Sequence, residues 1–97
     1  MDRQEIITTL SLHKNELSTQ FGVETIALFG SSATGDSMPT SDIDLLVEFK
    51  KGSKDFFNFI RCRFYLENLF KKRVDLVMKS AVKPRLKKQI LQQAEYV

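Results

Sequence analysis

Two aspartates separated by one residue are the first side chains in this sequence whose spacing suggests chemistry. Asp42 immediately precedes, and Asp44 lies within, an alternating segment, residues 43–49, that predicts a β-strand. Because side chains on a strand alternate between faces, both carboxylates point the same way, with Cα atoms roughly 6.6 Å apart at about 3.3 Å per residue. That spacing lets two carboxylates bridge a pair of divalent ions about 3.5–4 Å apart.

A third carboxylate, Asp75, lies within the apolar segment 74–78, which predicts another strand. Because Asp75 lies amid Val and Leu, it is expected to be buried. Since an unpaired carboxylate is costly to bury, Asp75 should have a partner, and a metal shared with Asp42 and Asp44 is a natural one. Three acids without a neighbouring His or Cys suit Mg²⁺ or Mn²⁺ rather than zinc. The alternative for Asp75 is a strand-edge acid paired with a nearby Lys or Arg.

A loop of small residues precedes the aspartates. Gly30 ends a strand predicted over residues 25–29, and glycine lets the backbone turn sharply or pass close to a ligand. Ser31 and the amides after it, if they open a helix, form an anion site, while Ser41 either caps local backbone or touches a phosphate. A phosphate-binding loop about ten residues before a metal pair implies a metal-bound nucleoside triphosphate and in-line displacement at phosphorus.

Together these motifs resemble the minimal nucleotidyltransferases of the DNA polymerase beta-like superfamily. The resemblance rests on Gly30-Ser31, on the segment 41–45 and on Asp75. It implies a polymerase beta palm-like fold, ATP or another NTP as donor, and two Mg²⁺ ions held by the three aspartates, which are also the catalytic residues. It further implies that Gly30, Ser31 and Ser41 bind the nucleotide and that Asp75 orients or deprotonates the attacking hydroxyl.

Stand-alone minimal members of this family are commonly antitoxins encoded beside a HEPN-domain toxin, and some transfer AMP to a tyrosine of that partner. The resemblance therefore implies an Mg-dependent nucleotidyltransferase that transfers AMP from ATP to a hydroxyl, with a HEPN tyrosine as acceptor. The sequence departs from the family pattern at Thr34, where Arg is common. This departure, with the Phe-rich and basic C-terminal half, leaves an alternative open: an antitoxin that neutralises a HEPN partner by direct contact, without catalysis.

Hydrophobic periodicity predicts the elements that must position these residues. Helices are predicted over residues 2–21 and 54–70 and from Pro84 onward, and strands over 25–29, 43–49 and 74–78. The order α-β-β-α-β-α predicts an α+β domain with a small mixed sheet flanked by helices. The length of 97 residues predicts a single domain spanning residues 1–97.

Composition and charge narrow the classes of function. The net charge of +3 is the sum of two unlike halves. Residues 1–49 hold two basic and eight acidic side chains, whereas residues 50–97 hold thirteen basic and four acidic ones. The basic half suggests RNA binding as a third hypothesis, but the sequence has no strand motif of aromatic and basic residues that would support it.

A single cysteine excludes an internal disulfide, and no apolar run approaches the roughly 20 residues of a membrane span. A cytoplasmic protein is therefore expected. His13 is expected to be structural.

Overall fold

The computed structural model describes residues 2–30 and 42–97, so the predictions for Ser31, Thr34 and Ser41 lie outside the described residues. The elements are α1 (Arg3–Phe21), β1 (Val23–Leu28), β2 (Ile43–Phe49), α2 (Phe56–Phe70), β3 (Val74–Met78), a 3₁₀ turn (Lys79–Ala81), α3 (Pro84–Gln93) and β4 (Glu95–Tyr96). The six predicted elements occur in the predicted order. The sequence did not predict β4, because two residues are too few for a periodic pattern.

Helix α1 is capped at both ends. The Asp2 carboxylate accepts a hydrogen bond from the Glu5 N–H at 2.8 Å, and the Glu5 carboxylate accepts one from the Asp2 N–H at 3.4 Å, which satisfies donors of the first turn. At the other end Gly22 adopts a left-handed conformation, φ 68°, and its N–H donates to carbonyls of the last turn. A side chain at Gly22 would overlap Ser53, so the residue also lets the segment after β2 approach this helix end.

Four strands form a mixed sheet in the order β3-β2-β1-β4. Strand β2 runs antiparallel to β1 and parallel to β3, and β4 runs antiparallel to β1. These directions bring the end of β1 beside the starts of β2, β3 and β4. We call this shared end of the sheet the acidic end, because Asp42, Asp44 and Asp75 lie there.

Helices α1 and α2 supply the core against one face of the sheet, together with alternate residues of three strands. The buried core comprises Ile6, Leu10, Leu17, Val23, Ile26, Leu28, Ile43, Leu45, Val47, Phe49, Cys62, Leu66, Phe70, Val74 and Leu76. Cys62 is fully buried, and this burial raises the pKa of its thiol to about 12, so it packs as an apolar side chain. Within the described residues, no helix is long and apolar enough to cross a membrane.

Polar contacts join the two helices of the core. The Tyr65 hydroxyl donates to Glu16 Oε2 at 2.6 Å. The pKa of Tyr65 is raised to about 12, first by burial and second by this hydrogen bond. The His13 and Tyr65 rings pack edge to face with their centroids 6.5 Å apart, and His13 Nδ1 lies 2.9 Å from the Thr9 carbonyl oxygen. His13 is thus packed between α1 and α2, as a structural residue would be.

Strand β4 is held on the sheet by charged contacts to α1. Arg3 forms an ion pair with Glu95, and Lys14 Nζ donates to the Val97 carbonyl oxygen at 2.8 Å. The register pairs Leu28 with Glu95, so β4 covers the edge of β1 just before the chain reaches Gly30.

The end of α2 offers a test of local backbone strain. Lys71 has φ 56°, and it is the one non-glycine residue with positive φ among those described. Replacing it by glycine, Lys71→Gly, should raise the free energy of unfolding by about 0.5–1 kcal/mol, measured by urea titration, because glycine adopts this conformation without a Cβ penalty.

The matched control for this substitution is Lys72→Gly, which removes the same charge at a residue outside the left-handed region. It should lower the free energy of unfolding, because glycine there adds only chain entropy to the unfolded state. Equal changes in the two variants would contradict the strain argument.

Candidate active site

The strand pairing brings the three predicted acids to one end and one face of the sheet. Asp44 points away from the core, since its neighbours Ile43 and Leu45 are buried in it at 2% and 0% exposure. The parallel register pairs Asp44 with Asp75, so both carboxylates lie on the same face of adjacent strands. Asp42 precedes β2 by one residue and lies two residues from Asp44 along the chain.

The expectation that Asp75 is buried is wrong. Its neighbours Val74 and Leu76 point into the core, at 5% and 6% exposure, whereas Asp75 faces outward on the edge strand β3 and is exposed. Asp42 is exposed as well, and Asp44 is half-buried. Neither Asp42 nor Asp75 forms an ion pair or hydrogen bond within the described part of the chain, so the pairing of Asp75 with a Lys or Arg is not observed there.

Gly30 lies directly against Asp44. A Cβ at Gly30 would fall 2.8 Å from Asp44 Oδ2, closer than real Cβ contacts come, and the residue has φ 63°. The Phe29 N–H donates to the Asp44 carbonyl oxygen at 3.1 Å, which continues the pairing of β1 and β2 up to the glycine. Glycine is therefore needed here for two reasons, its backbone conformation and the space that the carboxylate occupies.

The start of β3 is held by hydrogen bonds from two directions. The Ile43 N–H of β2 donates to the Arg73 carbonyl oxygen at 3.0 Å, and the Val74 N–H donates to Glu67 Oε2 of α2 at 3.0 Å. These contacts position the backbone immediately before Asp75. Sequence reasoning missed Glu67, because a contact between the last turn of a helix and the strand after it leaves no periodic signal.

The chemistry of the donor set fits a hard divalent cation. Three carboxylates at the acidic end offer oxygen atoms alone, the ligands that Mg²⁺ and Mn²⁺ take, and the missing side chain of Gly30 gives Asp44 Oδ2 its space. Over residues 2–30 and 42–97, no three Asp, Glu, His or Cys side chains lie close enough to hold an ion as a preformed group. The backbone register thus places the acids together without drawing them into a closed cage.

Comparison with known protein families matches residues 10–97 to the nucleotidyltransferase domain. The chain belongs to this family. It is 43% identical over 94 residues to the protein adenylyltransferase MntA of Thermococcus cleftensis, an alignment that covers 97% of this chain and 94% of that relative. The sequence-based prediction of a nucleotidyltransferase is therefore confirmed.

Solved structures confirm the predicted α+β fold of this nucleotidyltransferase. A structure described as that of a candidate minimal nucleotidyltransferase matches with a TM-score of 0.84 and 33% identity, covering 98% of this chain and 95% of the other. A chain from the complex of a tri-AMPylated Shewanella oneidensis HEPN toxin with its MNT antitoxin matches with a TM-score of 0.59 and 22% identity, covering 89% and 69%. At that identity, the second similarity supports the fold alone.

The contact between Gly30 and Asp44 can be tested by adding one methyl group. If Asp44 is the metal ligand that the sequence predicts, Gly30→Ala should lower the rate of nucleotidyl transfer by about a hundredfold, because the Cβ must displace its carboxylate. The measurement is the initial rate of transfer from a labelled nucleoside triphosphate, with thermal unfolding recorded on the same protein.

Gly52→Ala is the matched control. Gly52 also has positive φ, 89°, but a Cβ there would meet nothing within 4 Å. This variant should carry a similar backbone strain and keep its transfer rate. If both variants lose activity equally, strain alone accounts for the loss and the proximity of Gly30 to Asp44 has no catalytic consequence.

Proposed function

We propose that this nucleotidyltransferase transfers AMP from ATP to a tyrosine hydroxyl of a HEPN-domain protein and thereby acts as its antitoxin. The observation that carries the proposal is the pairing of Asp44 with Asp75, with Gly30 packed against Asp44. The 43% identity to a protein adenylyltransferase supports a protein acceptor. The shared fold with an MNT antitoxin bound to an AMPylated HEPN toxin supports the class of partner.

In this proposal Asp42, Asp44 and Asp75 hold Mg²⁺ through their carboxylate oxygens. When bound, the ions supply positive charge for the triphosphate and for the departing pyrophosphate. Gly30, Ser31 and Ser41 bind the nucleotide, and Gly30 keeps the backbone close to Asp44. In this division of roles, the segment between β1 and β2 binds the donor nucleotide, and β3 positions the acceptor.

Asp75 orients the acceptor hydroxyl and takes up its proton. As the hydroxyl oxygen bonds to the α-phosphorus, the bond between that phosphorus and pyrophosphate breaks. The exposure of Asp75 on an edge strand supports a macromolecular acceptor, because a side chain of another protein reaches such a carboxylate without entering a deep cleft. A buried Asp75 would instead have favoured a small acceptor.

Removing one carboxylate charge tests the catalytic assignment. Asp44→Asn should lower AMP transfer by at least about a hundredfold, because the amide cannot replace a charged oxygen ligand. The measurement is labelling of a HEPN-domain protein from the same genome with α-labelled ATP and Mg²⁺. Glu24→Gln, the same loss of charge at an exposed residue near the far end of β1, should leave the rate unchanged. Undiminished transfer by Asp44→Asn would refute the assignment.

A second candidate function, neutralisation by contact alone, is favoured by exposed aromatic residues on α2. Phe56, Phe57 and Phe64 are 71%, 78% and 57% exposed, an unusual amount of apolar surface for one helix of a small domain. If AMP transfer is what neutralises the partner, the Asp42→Asn/Asp44→Asn variant should fail to rescue cells that express the HEPN protein. Rescue equal to wild type, at equal protein levels, would show that contact is sufficient.

A further inference from the structure

The hydrogen bonding between β2 and β3 begins one residue before β3, at Arg73. Ile43 pairs with Val74, and its N–H donates to the Arg73 carbonyl oxygen at 3.0 Å. Val74 points into the core, so Arg73 and Asp75, its two neighbours, lie on the opposite face. Asp44 and Asp75 are therefore paired at the acidic end, and Asp42 and Arg73 each stand one residue before their strands, next to that pair.

Arg73 is available for a ligand. Its side chain is exposed and makes no hydrogen bond or ion pair within the described parts of the chain. Arg3 pairs with Glu95, and Arg61 Nη2 donates to the Asn58 side chain at 3.4 Å. Arg85 is also exposed and has no partner among the described residues, but it lies on α3 and not at the acidic end. Arg73 thus places an uncommitted guanidinium on the same face as the three carboxylates.

We propose that Arg73 binds a phosphate group in the active site, either a phosphate of the nucleotide or the phosphodiester that an earlier transfer leaves on the acceptor. A guanidinium is planar and donates two parallel hydrogen bonds to phosphate oxygens, which makes Arg well suited to this role. The guanidinium adds a fixed positive charge beside the ions that the three carboxylates are proposed to hold, and so strengthens the attraction for a phosphate. The inference rests on the proposed function for the identity of both phosphate sources.

The competing interpretation is that Arg73 only protects an edge strand. Charged side chains on an exposed edge discourage pairing with other chains, and β3 is the edge of this sheet. The two interpretations differ in what removal of the charge does. A protective charge affects solubility, whereas a phosphate ligand affects the binding of phosphates and the rate of transfer.

The first arm of the test measures the nucleotide. Calorimetry on the full chain would give the Kd of Mg-ATP and of Mg-pyrophosphate for wild type, Arg73→Gln and Arg73→Lys. If Arg73 binds the nucleotide, Arg73→Gln should weaken both ligands about tenfold, and Arg73→Lys should recover part of the loss. Lys51→Gln, which removes an exposed charge just beyond the far end of β2, should change neither Kd.

The second arm measures the acceptor at saturating Mg-ATP. The HEPN-domain protein would be supplied either unmodified or already carrying one AMP. If Arg73 binds the acceptor phosphodiester, Arg73→Gln should lower kcat/KM about tenfold for the modified acceptor and leave the unmodified one unchanged. Raising the ionic strength should reduce the difference, since an exposed ion pair is screened by salt.

The outcomes separate this inference from the proposed function. Unchanged Kd values and unchanged kcat/KM in Arg73→Gln, with an unchanged thermal unfolding curve, would overturn the role of Arg73 while wild-type transfer upholds the proposed function. Failure of wild type to bind Mg-ATP would overturn both. If wild type binds Mg-ATP but labels no HEPN protein, the proposed acceptor is wrong, and the first arm alone decides. Weaker binding of Mg-pyrophosphate by Arg73→Gln would then support the role of Arg73 in phosphate binding, and an unchanged Kd would overturn it.

Discussion

The parallel pairing of β2 with β3 is the constraint on which the rest of this structure depends. Parallel neighbours cannot be joined by a tight turn, so the chain must leave the far end of β2 and return to its start. Helix α2 makes that return, and in doing so it buries Cys62, Leu66 and Phe70 against the sheet. The packing of α2 on the sheet and the placement of Asp75 beside Asp44 are therefore consequences of one connection.

The antiparallel pairing of β1 with β2 completes the acidic end by a different route. It brings the last residue of β1 beside the start of β2, and the hydrogen bond from the Phe29 N–H to the Asp44 carbonyl carries the pairing onward to Gly30. The chain thus reaches Asp44 closely enough that a Cβ at Gly30 would touch its carboxylate. Strand β4, tied to α1 through the Arg3–Glu95 ion pair, covers the other edge of β1. The site is held on both sides by ordinary sheet hydrogen bonds.

Much of this arrangement could be predicted from the sequence, because it depends on local periodicity. The alternation from Ile43 to Phe49 placed the strand and the face of Asp44, and the family resemblance selected Asp75 as its partner. Exposure was harder to predict: apolar neighbours show that one face of β3 is buried, but they do not show whether the other face is covered. Asp75 was expected to be buried for that reason, and it is exposed. Glu67 and β4 escaped prediction because tertiary contacts alone define them.

An exposed carboxylate on an edge strand has costs and advantages that bear on the chemistry. An open edge invites pairing with other chains, and proteins commonly block it with charge. Here the charges at the start of β3, Arg73 and Asp75, stand beside Asp42 and Asp44 rather than at a remote point of the strand. The two sides of the acidic end differ: Asp75 is exposed on an edge strand, whereas Gly30 follows β1, which is paired on both of its edges. On the proposed function, this exposed carboxylate leaves room for an acceptor residue that is part of a whole protein surface.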